Sequence, residues 1–291
     1  MASILTLVAN RDATTLSPAV IQRIRDAVQG RSVEILSEGE AADVTCDSEP
    51  NPAAVEQAIE RLEIDAIVTK SRGRRKAVLV ADMDSTIVTG ETLDELAAFA
   101  GIGDKIAAIT KRSMNGELDF AQALRERVAM LKGLGLSALE ETWKGVKLTP
   151  GAIELIRTMK AHNATTALVS GGFTFFTGRV ADLVGFDVHR ANTLIDDGTA
   201  LTGQTGQPIL DRYSKLEILR ELAEARGVQM SATLAVGDGA NDLDMIREAG
   251  LGVAFHAKPI VAREAKARVE HGNLRALLFA QGYKASQFAG V

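Results

Sequence analysis

The sequence predicts an α/β protein: a doubly wound parallel sheet with an inserted helical cap and a small N-terminal βαββαβ unit. Apolar runs of strand length at 77–81, 165–169 and 233–236 are typical of strands buried on both faces of a parallel sheet. Helical segments alternate with these runs, as in doubly wound folds. The helical stretch from 93 to 148 separates the first two runs and is too long for a crossover, so we interpret it as the cap.

Composition limits the class of protein. The chain has 291 residues, 46% of them apolar and 24% charged, as in ordinary soluble globular proteins. With 33 basic and 38 acidic residues, its net charge of −5 argues against general nucleic-acid binding, which needs a basic face. Cys46 is the only cysteine, which fits a reducing compartment. The start of the chain lacks signal-peptide features and no run approaches the ~20 apolar residues of a membrane helix, so we predict a cytoplasmic protein.

The first seventy residues have the pattern of a small α/β unit. Short β-type runs lie at 4–8, 33–36, 42–46 and 66–68. Ser17-Pro18 and Asn51-Pro52 are helix-start signals, and each precedes apolar residues at helical spacing. The resulting βαββαβ order predicts a compact sheet with two helices on one face.

A basic run separates this unit from the rest. Residues 70–76 read Lys-Ser-Arg-Gly-Arg-Arg-Lys, which is most simply an exposed linker. The alternative is a surface that contacts a phosphate or another domain. We predict an N-terminal domain at 1–70, a linker at 71–76 and a catalytic domain at 77–291, with the cap inserted at about 90–148.

Further elements follow in order after the cap. Helices are predicted over 153–161, 175–184 and 215–226. The sequence at 195–199, Ile-Asp-Asp-Gly-Thr, has the composition of a hairpin turn between two strands.

Each of the three buried strands ends in polar residues. The three clusters are Asp82-Met83-Asp84-Ser85-Thr86, Ser170-Gly171-Gly172 and Gly237-Asp238-Gly239-Ala240-Asn241-Asp242. Because ligands bind beyond the carboxyl ends of strands in open α/β sheets, we expect one shared site. Its carboxylates would repel one another unless a cation lay among them, and oxygen-only ligands suit Mg²⁺.

Such a site can transfer a phosphoryl group. Asp82, at a strand end beside Mg²⁺, can attack phosphorus and form an aspartyl phosphate. Asp84 can protonate the leaving oxygen and deprotonate the attacking water, although a turn after the strand could alter where it points. Ser170 and the backbone N–H of Gly171 can bind phosphoryl oxygens. Lys215, near a helix start, can neutralise charge and orient Asp82.

These motifs resemble those of the haloacid dehalogenase superfamily and, within it, the phosphoserine phosphatase family. The resemblance extends from about residue 76 to the end of the chain. It includes the cap stretch at 114–133, which is similar to that family's substrate-recognition helix. The N-terminal unit resembles an ACT-like amino-acid-binding domain in its element order alone.

The resemblance implies a role for each matching residue. It implies Mg²⁺-dependent hydrolysis of O-phosphoserine, the last step of serine biosynthesis, with Asp82 as nucleophile and Asp84 as general acid and base. The implied Mg²⁺ ligands are Asp82, Asp84 through its backbone carbonyl, and Asp238, with Asp242 supporting them. The implied substrate contacts are Glu91 for the ammonium, Arg127 for the carboxylate, and Ser170, Gly171, Lys215 and Asn241.

The substrate's chemistry agrees with these roles. Arg127 can hold a carboxylate through two hydrogen bonds. Phe120 lies seven residues before Arg127, so the two share a helix face and Phe120 can supply an apolar wall.

Several alternatives stay open. Transfer of the phosphoryl group to another alcohol is a second enzymatic reading, and a non-catalytic amino-acid sensor built on the N-terminal unit is a non-enzymatic one. Ser170 and Glu91 could instead cap helices, and Arg127 could pair with Glu126 or another surface acid. The sequence also leaves open a homodimer and an amino-acid effector at the N-terminal unit.

Overall fold

The computed structural model describes residues 2–114 and 117–290. Two sheets dominate it, a four-stranded antiparallel sheet at the N-terminus and a six-stranded parallel sheet after it. Within the described residues, no helix combines the length and the apolar composition that crossing a membrane requires.

The N-terminal unit has the predicted βαββαβ order. Its strands pair antiparallel in the order β2-β3-β1-β4. Its elements are β1 (Ser3–Ala9), α1 (Pro18–Ala27), β2 (Ser32–Ser37), β3 (Ala41–Cys46), α2 (Pro52–Ile59) and β4 (Ile64–Lys70). Both helices begin at the predicted signals, because the side chains of Ser17 and Asn51 accept hydrogen bonds from the first turn and proline follows each. Buried residues of both helices share one apolar cluster with one face of the sheet.

The second sheet is parallel throughout, with strand order β12-β11-β10-β5-β6-β7. Its strands are β5 (Val78–Ala81), β6 (Thr165–Phe173), β7 (Val188–Asn192), β10 (Thr233–Gly237), β11 (Leu251–Phe255) and β12 (Ala267–Val269). Its helices are α7 (Ala152–Ala161), α8 (Thr174–Val184), α9 (Arg212–Ala225), α10 (Leu243–Glu248), α11 (Pro259–Glu264) and α12 (Arg275–Ala280). Alternate residues of β5 enter two different apolar clusters, Leu79 on one face and Val80 on the other. This confirms the doubly wound prediction.

The cap is inserted between β5 and β6, as predicted. It consists of α3 (Thr92–Phe99), α4 (Gly103–Met114), α5 (Phe120–Ala129) and α6 (Ser137–Gly145). The two chain segments that join cap and sheet pair with each other, since Thr89 N donates to Lys147 O and Thr149 N donates to Ile87 O, both at 2.9 Å. The predicted hairpin is also present, with β8 (Leu194–Asp196) antiparallel to β9 (Leu201–Thr205).

The basic run at 71–76 is not simply an exposed linker. The side chain of Arg74 is 13% exposed and donates to both carboxylate oxygens of Asp43, at 2.5 and 3.0 Å. It also donates to the backbone carbonyls of Phe279 and Ala280, both at 3.2 Å. The alternative interpretation therefore holds for Arg74: it joins the N-terminal sheet to the end of α12.

Two more buried acids fix the N-terminal sheet in place. Asp65 accepts hydrogen bonds from the backbone N–H groups of residues 270–272, at 2.7 to 3.1 Å. Glu40 accepts from both Nε and Nη2 of Arg275, at 2.9 Å each. The second face of the N-terminal sheet is thus packed against the C-terminal part of the chain.

Candidate active site

The strand ends that carry the polar clusters are neighbours. In the observed order β10-β5-β6, parallel strands bring Asp238, Asp82 and Ser170 to one edge of the sheet. The predicted convergence is therefore present in the fold, although the three clusters are far apart in sequence.

Lys215 lies at the centre of the buried acids. Its Nζ is 2.7 Å from Asp82 Oδ1 and 2.6 Å from Asp242 Oδ1, and all three residues are at most 5% exposed. The first turn of α9 presents Lys215 there, and Asp211 caps this turn by accepting from the N–H groups of Tyr213 and Ser214. Burial alone would lower the pKa of Lys215, but Asp242 and Asp82 raise it above its usual value. Lys215 is therefore held as a cation.

A divalent cation fits the three carboxylates of Asp82, Asp238 and Asp242. Each offers an oxygen, and these oxygens lie within 4.8 Å of one another in a buried setting. Burial, followed by the negative charge of Asp82, raises the pKa of Asp238 to about 6. The acids thus carry more negative charge than Lys215 neutralises, which a metal ion would relieve. Asp242, expected only as a supporting residue, lies in this cluster as well.

Glycine at 237 makes room for Asp242. A Cβ at this position would lie 2.3 Å from the Asp242 Cγ, so no other residue fits without moving the carboxylate. Gly239 N then donates to Asp242 Oδ2 at 3.0 Å. Lys258, which no sequence motif indicated, also contacts Asp238. Its backbone N–H donates to Asp238 O at 3.0 Å, and its Nζ is 3.7 Å from Asp238 Oδ2.

Asp84 keeps an extended backbone, with φ of −66° and ψ of 138°, at the start of a tight turn. The turn runs from Met83 to Ile87, and Ser85 within it has φ of 53°. Asp84 Oδ1 accepts from Thr92 N at 2.8 Å, and Asp84 Oδ2 accepts from Ser170 Oγ at 3.2 Å. Burial, with smaller contributions from Asp82 and Glu91, raises the pKa of Asp84 to about 7. A carboxyl group with this pKa can both give and take a proton near neutral pH.

The end of β6 is shaped by Ser170 and the two glycines after it. Ser170 Oγ accepts from Gly172 N at 2.8 Å. Phe173, not Ser170, is the N-cap of α8, so the interpretation of Ser170 as a helix cap is wrong. A Cβ at Gly171 would lie 3.2 Å from the Phe120 ring. The cap helix therefore comes directly over this segment.

Helix α5 carries both Phe120, whose ring lies next to Gly171, and Arg127. Arg127 is partly buried, its Nε donates to Ala123 O at 3.2 Å, and burial lowers its pKa. The expected alternative partner, Glu126, instead binds Arg112 at 2.7 Å. Asn115 and Gly116, in the cap stretch singled out from the sequence, lie outside the described residues.

Glu91 faces the same region from the start of α3. It stands at the N-cap position, as the capping alternative predicted, but its side chain makes no capping hydrogen bond. Its Oε1 accepts from Ser85 Oγ at 2.8 Å instead. Its charge raises the pKa values of Asp84 and Asp238 and opposes the lowering at Arg127. Glu91 therefore adds negative charge that acts both on the acid cluster and on Arg127.

Asn241 belongs to a short 3-10 turn after β10, spanning Ala240–Asp242, and is partly buried. It follows Asp238 by three residues and immediately precedes Asp242. Asn241 thus lies in the short turn that ends at Asp242.

Most of this chain is similar in sequence to known proteins. A family model for a haloacid dehalogenase-like hydrolase matches residues 76–250. The chain is 42% identical over 217 residues to phosphoserine phosphatase of Archaeoglobus fulgidus, covering 74% of this chain and 63% of that one. It is 40% identical over 205 residues to phosphoserine phosphatase of Methanocaldococcus jannaschii, covering 70% and 97%. The chain thus spans less than two thirds of the first relative and nearly all of the second.

A solved structure resembles nearly the whole chain. The unliganded probable phosphoserine phosphatase from Vibrio cholerae superposes with a TM-score of 0.79 at 34% identity, covering 96% of this chain and 88% of that one. The similarity therefore includes the N-terminal unit as well as the sheet and cap.

Proposed function

The chain belongs to the haloacid dehalogenase-like hydrolases, and we propose that it hydrolyses O-phosphoserine to serine and phosphate. The observation that supports the proposal most is that one site combines a buried acid cluster with a second set of charged side chains from the cap. A buried acid cluster around Lys215 lies at the edge of the sheet. The cap supplies Arg127, on the helix whose Phe120 ring lies against Gly171, and Glu91, which accepts from Ser85 Oγ. The first suits phosphoryl transfer, and the second suits an amino acid's carboxylate and ammonium. Similarity to phosphoserine phosphatases supports this substrate.

Asp82 and Asp84 act on the phosphoryl end of the substrate. Asp82 attacks phosphorus, and the bond from phosphorus to the serine oxygen breaks as the bond to the carboxylate forms. Asp84, with its pKa near 7, gives its proton to the departing oxygen. Water then attacks phosphorus, Asp84 takes a proton from it, and phosphate leaves Asp82 as a free carboxylate. Lys215 holds Asp82 in place, and Ser170 and the N–H of Gly171 bind phosphoryl oxygens.

We propose Mg²⁺ as the cofactor, held by Asp82, Asp238 and the backbone carbonyl of Asp84, with Asp242 beside them. The donors are all oxygen atoms, as Mg²⁺ prefers. When bound, it supplies positive charge between the attacking carboxylate and the phosphoryl oxygens, which would otherwise repel each other.

Residues of the cap bind the amino-acid end of the substrate. Among the described residues, Arg127 has no ion-pair partner within 4.0 Å, so its guanidinium is available for a substrate carboxylate. Glu91 supplies a negative charge for the ammonium, and Phe120 covers the Gly171 segment where the phosphate lies. Asn241 contacts substrate from the sheet side.

We propose further that this reaction is the last step of serine biosynthesis in the cytoplasm. A homodimer and an amino-acid effector at the N-terminal unit stay predictions from the sequence.

A panel of phosphate esters tests the proposed function. The purified chain is assayed on O-phosphoserine, O-phosphothreonine and p-nitrophenyl phosphate, with Mg²⁺ and after chelation. We expect the highest kcat/KM on O-phosphoserine, loss of activity on chelation, and recovery when Mg²⁺ is added. An aryl phosphate that is hydrolysed equally well refutes the substrate assignment, and activity that survives chelation refutes the metal.

Arg127→Ala is expected to lower kcat/KM for O-phosphoserine by roughly 10- to 100-fold, because a charged hydrogen bond to the substrate carboxylate is lost. Hydrolysis of p-nitrophenyl phosphate, which has no carboxylate, is expected to change little. Arg125→Ala is the matched control, since Arg125 is an exposed arginine on the same helix. Equal losses on both substrates contradict a role for Arg127 in reading the carboxylate.

A further inference from the structure

The β8–β9 hairpin supports the cap from a direction that the sequence motifs do not indicate. Three backbone hydrogen bonds join it to the connection between α5 and α6. Gly133 N donates to Leu201 O and Leu201 N donates to Leu134 O, both at 2.8 Å, and Leu136 N donates to Thr199 O at 3.1 Å. The hairpin thus extends onto the cap as a small strand-like contact.

Side chains continue this contact along α5. Leu201 of β9 is 3% exposed and belongs to the apolar cluster that contains Leu124, Val128 and Leu131. These three residues form the buried face of α5 and of the turn after it. Val128 is next in sequence to Arg127, so a shift of the buried face also moves the guanidinium.

Gly203 brings the β9 backbone against the last turn of α5. Its φ is +78°, and a Cβ there would lie 2.9 Å from Lys132 Cβ and 3.3 Å from Ala129 O. No side chain fits between hairpin and helix without displacing one of them. The hairpin therefore limits how far α5 can approach in this direction.

The base of the hairpin is tied to the phosphate end of the site. Asn192, 1% exposed at the end of β7, donates through Nδ2 to Gly171 O at 2.8 Å. Its Oδ1 accepts from Leu210 N, also at 2.8 Å. Gly206 N donates to Thr193 O at 2.8 Å and closes the hairpin between these points. One continuous element thus links the backbone at Gly171 to the back of α5.

We propose that the β8–β9 hairpin sets the distance between the phosphate-binding segment at Gly171 and the recognition helix α5, with Gly203 as a positioning residue for substrate selection. This proposal rests on the proposed function, because α5 would bind the amino-acid end of the substrate. The hairpin acts through α5 and touches no reacting atom.

Two glycines of the same hairpin provide a matched test. Gly198 at the tip has φ of +90° and open space around it, whereas Gly203 contacts α5. Gly203→Ala and Gly198→Ala therefore place similar strain on the backbone, but only the first pushes on the helix. We expect Gly203→Ala to lower the ratio of kcat/KM for O-phosphoserine to that for p-nitrophenyl phosphate by on the order of tenfold or more, mainly through KM. Gly198→Ala is expected to leave that ratio near the wild-type value.

Hydrogen exchange provides a second, substrate-independent measurement. Faster amide exchange in α5 for Gly203→Ala alone supports the proposal, and identical exchange in both variants overturns it. An unchanged ratio in Gly203→Ala, or the same change in both variants, also overturns it. A wild-type chain without preference for O-phosphoserine refutes the proposed function instead, and the exchange comparison then still decides whether the hairpin positions α5.

Discussion

Asp82→Asn is expected to lower kcat on O-phosphoserine by on the order of 10⁴-fold or more, as loss of a nucleophile does in other enzymes that form covalent intermediates. Asp82 Oδ1 accepts from Met83 N at 2.8 Å and lies 2.7 Å from Lys215 Nζ. An asparagine can keep both contacts through its carbonyl oxygen. It cannot attack phosphorus, because its amide nitrogen is a poor nucleophile. The fold should therefore persist while turnover disappears.

Single-turnover kinetics and mass spectrometry of the quenched enzyme check this result. The wild-type chain should gain one phosphoryl group on Asp82, and Asp82→Asn should gain none while melting near the wild-type temperature. Asp84→Asn is the informative comparison, because it keeps the nucleophile and loses the acid; we expect a slowing of about a hundredfold or more. Turnover by Asp82→Asn within tenfold of wild type would show that another residue attacks phosphorus.

Most of the fold could be predicted from the sequence, because continuous apolar runs are typical of buried parallel strands. The strand at Leu251–Phe255 has the same pattern as the strands that were predicted, and the same criterion would have found it. The strand at Val188–Asn192 was harder to recognise. It lies at the sheet edge, has exposed residues at 189 and 190, and lacks the continuous apolar character of the others.

The site was predictable as a set of residues, but its contacts were not. Parallel strands of one sheet bring their carboxyl ends to the same edge, so Asp82, Ser170 and Asp238 could be grouped because each follows the end of a predicted strand. Contacts of Lys258 and Asn192 arise from loop and strand-end geometry instead, and neither residue belongs to a motif. The position of Asp84 likewise depends on a tight turn that its neighbours in sequence do not specify.

Arg74 shows why a charged run is hard to interpret alone. A run of cations is usually solvated, and only a buried acid elsewhere changes that expectation. Asp43 provided such a signal, since it lies within an apolar strand and is 4% exposed in the structure. Arg74 contacts Asp43 of the N-terminal sheet and the backbone carbonyls at the end of α12 together, an arrangement that local sequence does not reveal.

Lys215→Met is expected to be the most destabilising change in the site. Methionine has a similar length but no charge, so Asp82 and Asp242 would stay buried without their shared cation. Removing one partner of a buried ion pair typically costs about 3–5 kcal/mol of unfolding free energy. Activity should be lost as well, because Asp82 then loses the cation that orients it and keeps only its hydrogen bond from Met83 N. Denaturant unfolding and kcat on O-phosphoserine measure the two effects.

A second substitution separates charge from packing. If unpaired carboxylates cause the loss, Asp242→Asn added to Lys215→Met should recover part of the stability, since one buried charge is removed and the amide can still accept from Gly239 N. Mg²⁺ should also stabilise Lys215→Met more than the wild type, because the cation would replace the missing charge among Asp82, Asp238 and Asp242. If the double variant is no more stable than Lys215→Met, packing around the lysine stem, and not charge, dominates. If Lys215→Met were as stable as the wild type, the acids would have to be neutral in the folded chain. There would then be no excess negative charge for a divalent ion to neutralise.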